Sequence, residues 1–79
     1  MNQETWDYIL KIDQKAWNAG IDLDVAVNPP NLTNEKLLPF WQELDRLLDA
    51  GAKPTPEQIR QMVQKTLGDD FYDWEGVIP

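Results

Sequence analysis

Carboxylates are the side chains of this sequence with the widest scope for chemistry, because most other reactive types are absent. The chain has no histidine and no cysteine, which removes the commonest general base, the commonest metal ligand and the best nucleophile. Serine is absent as well, and none of the threonines has an activating base beside it in the sequence. Zinc-finger, thiol-redox and catalytic-triad patterns therefore do not fit.

The carboxylates that stand close together fall into two groups. The first is Asp22 and Asp24, and the second is Asp69, Asp70, Asp73 and Glu75. Two carboxylates can act as general acid and base, but one of them needs a concave pocket that raises its pKa. A chain of 79 residues buries only about 60% of its surface on folding and has little room for such a pocket. We therefore expect a protein that is not an enzyme.

The second acidic group does not match a calcium-binding loop. An EF-hand loop places oxygen ligands at alternate positions, whereas the stretch DDFYDWEG has Phe71 where the second acid belongs. The glycines are isolated from one another, so the sequence has no glycine-rich phosphate-binding loop. We expect neither a metal ion nor another cofactor.

The charge of the chain indicates which partners it can bind. Fourteen acids against seven bases give a formal net charge of −7, which opposes direct binding to nucleic acid or to an anionic membrane. The same charge can attract a basic surface on another protein, although it can also serve solubility alone. No secretory signal and no apolar run long enough to span a bilayer is evident, so the expected location is the cytoplasm.

Three helical segments must position these acids. Apolar side chains at helical spacing occupy one arc of residues 3–19, and Gly20 is expected to end that helix. A turn over Thr33 to Leu38 and a helix from Pro39 to Ala50 follow, since proline favours the first helical position. Thr55 with Gln58 then predicts a capping box at the start of a third helix. The sequence predicts a single all-α domain over residues 1–79, a small three-helix bundle.

The connection between the first two helices has a different pattern. Ile21, Leu23, Val25 and Val27 alternate with polar or small residues, as in a half-buried strand. A lone strand needs a partner, and the other candidate lies at residues 71–75. We favour an extended connection across the helices, with a two-stranded ribbon as the alternative.

Asp13 lies within the apolar arc of the first helix. Because a buried carboxylate without a partner is costly, we expect it to accept a hydrogen bond from a neighbouring helix or a tryptophan. The alternative is that this face is partly open and Asp13 belongs to an interface. Trp6, Trp17 and Trp41 fall on predicted core faces, whereas Trp74 follows the last helix and could anchor the C-terminal segment or bind a partner.

The C-terminal segment from Gly68 to Pro79 combines acids with aromatic and aliphatic side chains. We expect Phe71, Trp74, Val77 and Ile78 to pack back on the bundle and hold the neighbouring acids outward. If these acids lie beside Asp22 and Asp24, the two groups form one acidic patch.

The leading hypothesis is a small acidic binding protein that inhibits or regulates a partner by occupying its basic surface, including a surface that binds nucleic acid. Small phage-encoded inhibitors have this size and charge, which is an analogy without a shared motif. The expected partner-binding residues are Asp13, Asp22, Asp24, Asp69, Asp70, Asp73, Trp74 and Glu75. One alternative is an accessory subunit that docks through exposed tryptophans, and another is a disordered C-terminal motif that folds on binding. The sequence leaves the oligomeric state open.

Overall fold

The computed structural model describes residues 2–27 and 29–71. These residues form five α-helices and two 3-10 helices, and no strand occurs among them. The α-helices are α1 (Gln3–Asn18), α2 (Leu23–Ala26), α3 (Pro29–Leu32), α4 (Leu38–Asp49) and α5 (Pro56–Leu67), and the 3-10 helices are η1 (Glu35–Leu37) and η2 (Gly68–Asp70). The predicted small all-α bundle is confirmed. No helix in the described ranges is long and apolar enough to cross a membrane.

The ends of α1 follow from local chemistry. The Asn2 side chain accepts a hydrogen bond from the backbone N–H of Thr5 at 2.8 Å and so satisfies a donor that the first helical turn leaves free. After Asn18 the chain reverses at Gly20, whose φ of 84° favours a residue without a Cβ atom. The predicted end of the first helix is confirmed.

The predicted starts of the two later long helices are also confirmed. Helix α4 begins at Leu38, directly after η1, and has Pro39 in its first turn, where the missing N–H costs nothing. Helix α5 begins with a complete capping box, in which Thr55 accepts from the N–H of Gln58 and the Gln58 side chain accepts from the N–H of Thr55.

The prediction of an extended connection after α1 is wrong. Residues 23–26 form the single helical turn α2, and Asp22 caps it by accepting from the N–H of Asp24 at 3.1 Å. The turn buries Leu23, Ala26 and Val27 and leaves Val25 74% exposed. Spacing of three and four residues therefore governs burial here, rather than the alternation that suggested a strand.

The core lies between α1, which packs mainly on α4, and α5, which packs on α2, η1 and α4. Its buried side chains are Ile9, Ile12, Ala16, Ile21, Leu23, Ala26, Val27, Leu37, Phe40, Trp41, Leu44, Ile59, Val63 and Leu67. The rings of Phe40 and Trp41 meet edge to face with their centroids 5.2 Å apart, a geometry that aromatic pairs favour. Trp6, Tyr8, Leu32, Leu48, Met62 and Phe71 pack on this core from outside.

Ion pairs join one side of α1 to α4. The Lys15 ammonium contacts Asp45 and Asp49, each at 2.5 Å, and the Tyr8 hydroxyl donates to Asp45 at 3.4 Å. The hydrogen bond from Lys15 holds the pKa of Asp45 below its ordinary value. Asp45 therefore contributes stability above its unfolded pKa, and this contribution is lost as the pH falls through its lowered folded pKa.

The C-terminal segment is described only as far as Phe71. That side chain is partly buried against the core, as the sequence predicted. Residues 72–79 lie outside the described part of the chain, and so do the predictions for Trp74, Val77 and Ile78 and for a ribbon at residues 71–75.

A truncation at the centre of the core tests this packing. We expect Leu44→Ala to lower the free energy of unfolding by about 2–5 kcal/mol, because Leu44 is fully buried and the change leaves a cavity. Leu10→Ala is the matched control, since Leu10 is 48% exposed and should lose much less. Urea unfolding followed by circular dichroism measures both, and equal losses would contradict the packing described.

Candidate functional site

Only part of the apolar arc of α1 is covered by other helices. The stripe formed by Ile9, Ile12 and Ala16 is buried, whereas Leu10 is 48% exposed and Trp17 is 63% exposed. The prediction that Trp17 lies in the core is therefore wrong. At about 100° per residue, Leu10 and Trp17 project to one side of the buried stripe, where both side chains remain exposed. Trp6 is half-buried and Trp41 is buried.

Asp13 lies on α1 between the buried stripe and the exposed side. Its side chain is exposed, and none of the other described residues forms a hydrogen bond with it. The structure thus shows the open-face arrangement rather than the expected hydrogen bond. Partial withdrawal of the carboxylate from water raises its pKa, and the charges of Asp24 and Asp22 raise that pKa further.

Helix α2 brings the other two acids to this place. The chain turns at Gly20 and then winds Leu23–Ala26 into one helical turn beside α1. Asp22 precedes the turn as its N-cap and Asp24 lies in its first residues, so both carboxylates remain exposed. The structure therefore brings Asp13 together with Asp22 and Asp24, which follow it by nine and eleven residues in the chain.

These three carboxylates share an open depression of about 470 Å³, which we call the acidic groove. Its lining consists of Asp13, Gln14, Trp17, Ile21, Asp22, Leu23 and Asp24. No lysine or arginine lines it, so no base within the groove neutralises the three acids. An exposed indole beside carboxylates can hold a cation on its face as well as through charge.

A second depression adjoins the acidic groove and is mostly apolar. This apolar cavity has a volume of about 200 Å³ and is lined by Trp6, Ile9, Leu10, Asp13, Asp24, Leu32, Thr33 and Trp41. Asp13 and Asp24 line both depressions, so they lie at the boundary between them. The buried Nε1 of Trp41 has no hydrogen-bond acceptor within the described structure.

The other acids predicted to bind a partner lie elsewhere on the surface or outside the described residues. Asp69 and Asp70 are exposed on η2 after α5, where Asp70 forms an ion pair with Lys36 of η1. Neither of them lines the acidic groove or the apolar cavity. Asp73, Trp74 and Glu75 belong to residues 72–79, which are not described.

Sequence reasoning missed the contributions of Leu10, Gln14 and Trp17 to this surface. The apolar arc of α1 is wider than the stripe that two packed helices can cover, and an acid at its centre signals an open edge. That signal was available for Trp17, which is four residues from Asp13 and shares its side of the helix. Gln14 carries no such signal.

The arrangement provides negative charge and a concave shape that suit binding. Across residues 2–27 and 29–71, no group of three or more acidic, histidine or cysteine side chains is arranged to hold a metal ion. No family model, no curated protein sequence and no solved structure matches this chain.

Removing the charge of Asp13 tests the electrostatics of the groove. The raised pKa of Asp13 means that the folded chain favours the neutral form of this side chain. The contribution of Asp13 to the stability of the fold is therefore complete below pH 3.8, the ordinary pKa of aspartate, and is lost as the pH rises through the higher pKa of the folded state. At pH 7 the charge is therefore a net cost to folding. We expect Asp13→Asn to raise Tm at pH 7 by a small but measurable amount and to change it little at pH 3.

Asp7→Asn is the control for this comparison, because Asp7 is exposed on α1 and does not line the acidic groove. Thermal unfolding by circular dichroism at both pH values gives the four differences in Tm. A lower Tm for Asp13→Asn at pH 7 would contradict the account, since it would mean that the charge stabilises the fold.

Proposed function

We propose that this protein is a small non-catalytic binding domain that inhibits or regulates a partner protein by covering a basic surface on it. The observation that carries the proposal is the convergence of Asp13, Asp22 and Asp24 in one groove that no lysine or arginine lines. In its strongest form, the basic surface is one that binds nucleic acid, and the carboxylates compete with phosphates for it.

The electrostatic state of the groove supports a cationic partner. Partial withdrawal from water raises the pKa of Asp13, and the charges of Asp24 and Asp22 raise that pKa further, so Asp13 is repelled by both neighbouring carboxylates. A lysine or arginine placed among them would relieve this repulsion and gain charge-assisted hydrogen bonds. The net charge of −7 adds long-range attraction that would speed the encounter with a basic protein.

A second candidate function is that of an accessory subunit that docks apolar surface into a larger complex. It is favoured by the exposure of three large apolar side chains, namely Leu10, Trp17 and Val25. In that case the acids would border the interface without contributing to its affinity. Salt separates the two candidates, because screening weakens an interaction between exposed charges and leaves an apolar contact nearly unchanged.

The experiment compares the chain with a variant whose groove is neutral, Asp13→Asn, Asp22→Asn and Asp24→Asn together. Asparagine retains the cap at residue 22, because it is as good an N-cap as aspartate. A partner is first captured from lysate on the immobilised chain, identified and purified. We expect the neutral-groove variant to bind this purified partner at least about tenfold more weakly, a loss of about 1.4 kcal/mol.

The matched control changes the net charge equally at a distance, with Glu4→Gln, Asp7→Asn and Glu57→Gln, none of which lines the acidic groove. This control variant should retain most of the affinity for the partner. Added salt should weaken the binding of the unchanged chain to the partner. Displacement of the partner by a DNA or RNA oligonucleotide would support the strongest form. Equal affinity of the neutral-groove variant would overturn the proposal, and salt-insensitive binding would favour the accessory subunit.

A further inference from the structure

We propose that the acidic groove and the apolar cavity together bind one segment of the partner protein, a segment in which an arginine and a bulky apolar side chain lie close together. The arginine enters the acidic groove, and the apolar side chain enters the adjoining cavity. This inference rests on the proposed function and adds the chemical identity of what is recognised.

Arginine matches the acidic groove in two ways. Its planar guanidinium can donate paired hydrogen bonds to carboxylates such as Asp13 and Asp24. Its face can also stack on an aromatic ring, and Trp17 presents an indole that is 63% exposed in the lining of the same groove. Lysine offers a point charge without the planar stack, so the groove should favour arginine.

The apolar cavity has the dimensions and lining for a side chain. Its volume of about 200 Å³ is below the roughly 300–1,000 Å³ that is typical of sites for small-molecule ligands. Trp6, Leu10 and Leu32 contribute apolar surface to it. A leucine, methionine or phenylalanine from the partner would remove this surface from water, with a gain of the kind that anchors a protein interface.

Asp13 and Asp24 link the two depressions, because both residues line each of them. Two pockets with a common wall are filled most easily by side chains of one short segment rather than by two separate partners. The indole N–H of Trp41 is a buried donor that has no acceptor within the described structure. A backbone carbonyl of the bound segment would be an acceptor of the required kind.

Another open depression on the described surface, with a volume of about 510 Å³, provides a contrast. It is lined by Leu47, Ala52, Lys53, Pro54, Gln58, Gln61, Met62 and Lys65. Its apolar lining is accompanied by two lysines and no acid, which would repel an arginine. Charge complementarity thus favours the acidic groove, with its three carboxylates, over this depression.

The test uses a library of short random peptides displayed on yeast and selected for binding to the full chain. We expect the selected peptides to be enriched in arginine within a few residues of leucine, methionine or phenylalanine. The tightest peptide is then synthesised with a fluorescent label, and anisotropy gives its Kd for each protein variant. Replacing its arginine by lysine, or its apolar residue by alanine, should each weaken binding several-fold.

Leu10→Glu separates the two-pocket proposal from simple charge attraction. The change adds a negative charge beside the groove, so attraction alone predicts tighter binding of the basic peptide, whereas loss of the apolar lining predicts weaker binding. We expect binding at least about tenfold weaker, a loss of about 1.4 kcal/mol. Gln61→Glu is the control, because it adds the same charge in the depression lined by Lys53 and Lys65, and it should leave Kd nearly unchanged. Circular dichroism verifies that both variants fold.

Each outcome bears on a different part of the proposal. Tighter or unchanged binding by Leu10→Glu, together with loss on Asp13→Asn and Asp24→Asn, would overturn the two-pocket inference and leave the proposed function intact. Unchanged binding by the Asp13→Asn and Asp24→Asn variant would overturn both. Selection of peptides without arginine, or of no peptide at all, would overturn the inference.

Discussion

The packing of α1 against the rest of the bundle sets what this protein can display. Ile9, Ile12 and Ala16 form the buried stripe of α1, and α1 packs mainly on α4 and on α2. A chain of 79 residues has too few helices to surround α1, so only one side of its apolar arc is covered. The remaining side, with Leu10 and Trp17, faces solvent because nothing in the described structure is left to pack on it.

The exposure of Asp13, Asp22 and Asp24 also depends on how little of α1 the other helices cover. The reversal at Gly20 and the single turn of α2 bring Asp22 and Asp24 beside the uncovered side of α1, where Asp13 already lies. A carboxylate at the centre of a fully buried face would be costly to fold, whereas at an open edge it costs much less. The pKa of Asp13 is still raised there, first by partial withdrawal from water and then by the charges of Asp24 and Asp22. The thin core therefore leaves a surface that combines acids with exposed apolar groups.

Local signals in the sequence were sufficient to predict the long helices. The capping box at Thr55 and the glycine at residue 20 act within a few residues, so the letters alone indicate where a helix begins or ends. Helix α2 could not be predicted in this way, because four residues are stabilised by tertiary burial of Leu23 and Ala26 more than by their own propensity. The alternation of apolar residues there was misleading.

The candidate site was predicted only in part for a related reason. The types of residue were evident, since Asp13, Asp22 and Asp24 stood out as acids beside apolar positions. Their meeting depends on the path of the chain between α1 and α2, which no local pattern specifies. The exposure of Trp17 depends on which side of α1 the other helices cover, and an apolar arc alone does not distinguish a covered side from an open one.

The central claim is that a partner covers the side of α1 that carries Asp13 and Trp17. The most direct measurement is a two-dimensional nitrogen-15 NMR titration of the labelled chain with its purified partner. The account predicts that the Trp17 indole signal and the backbone signals of Asp13 and Asp24 shift or broaden first, while those of Gln61 and Lys65 remain in place. Changes centred on Gln61 and Lys65, with the Trp17 and Asp13 signals unaffected, would contradict it.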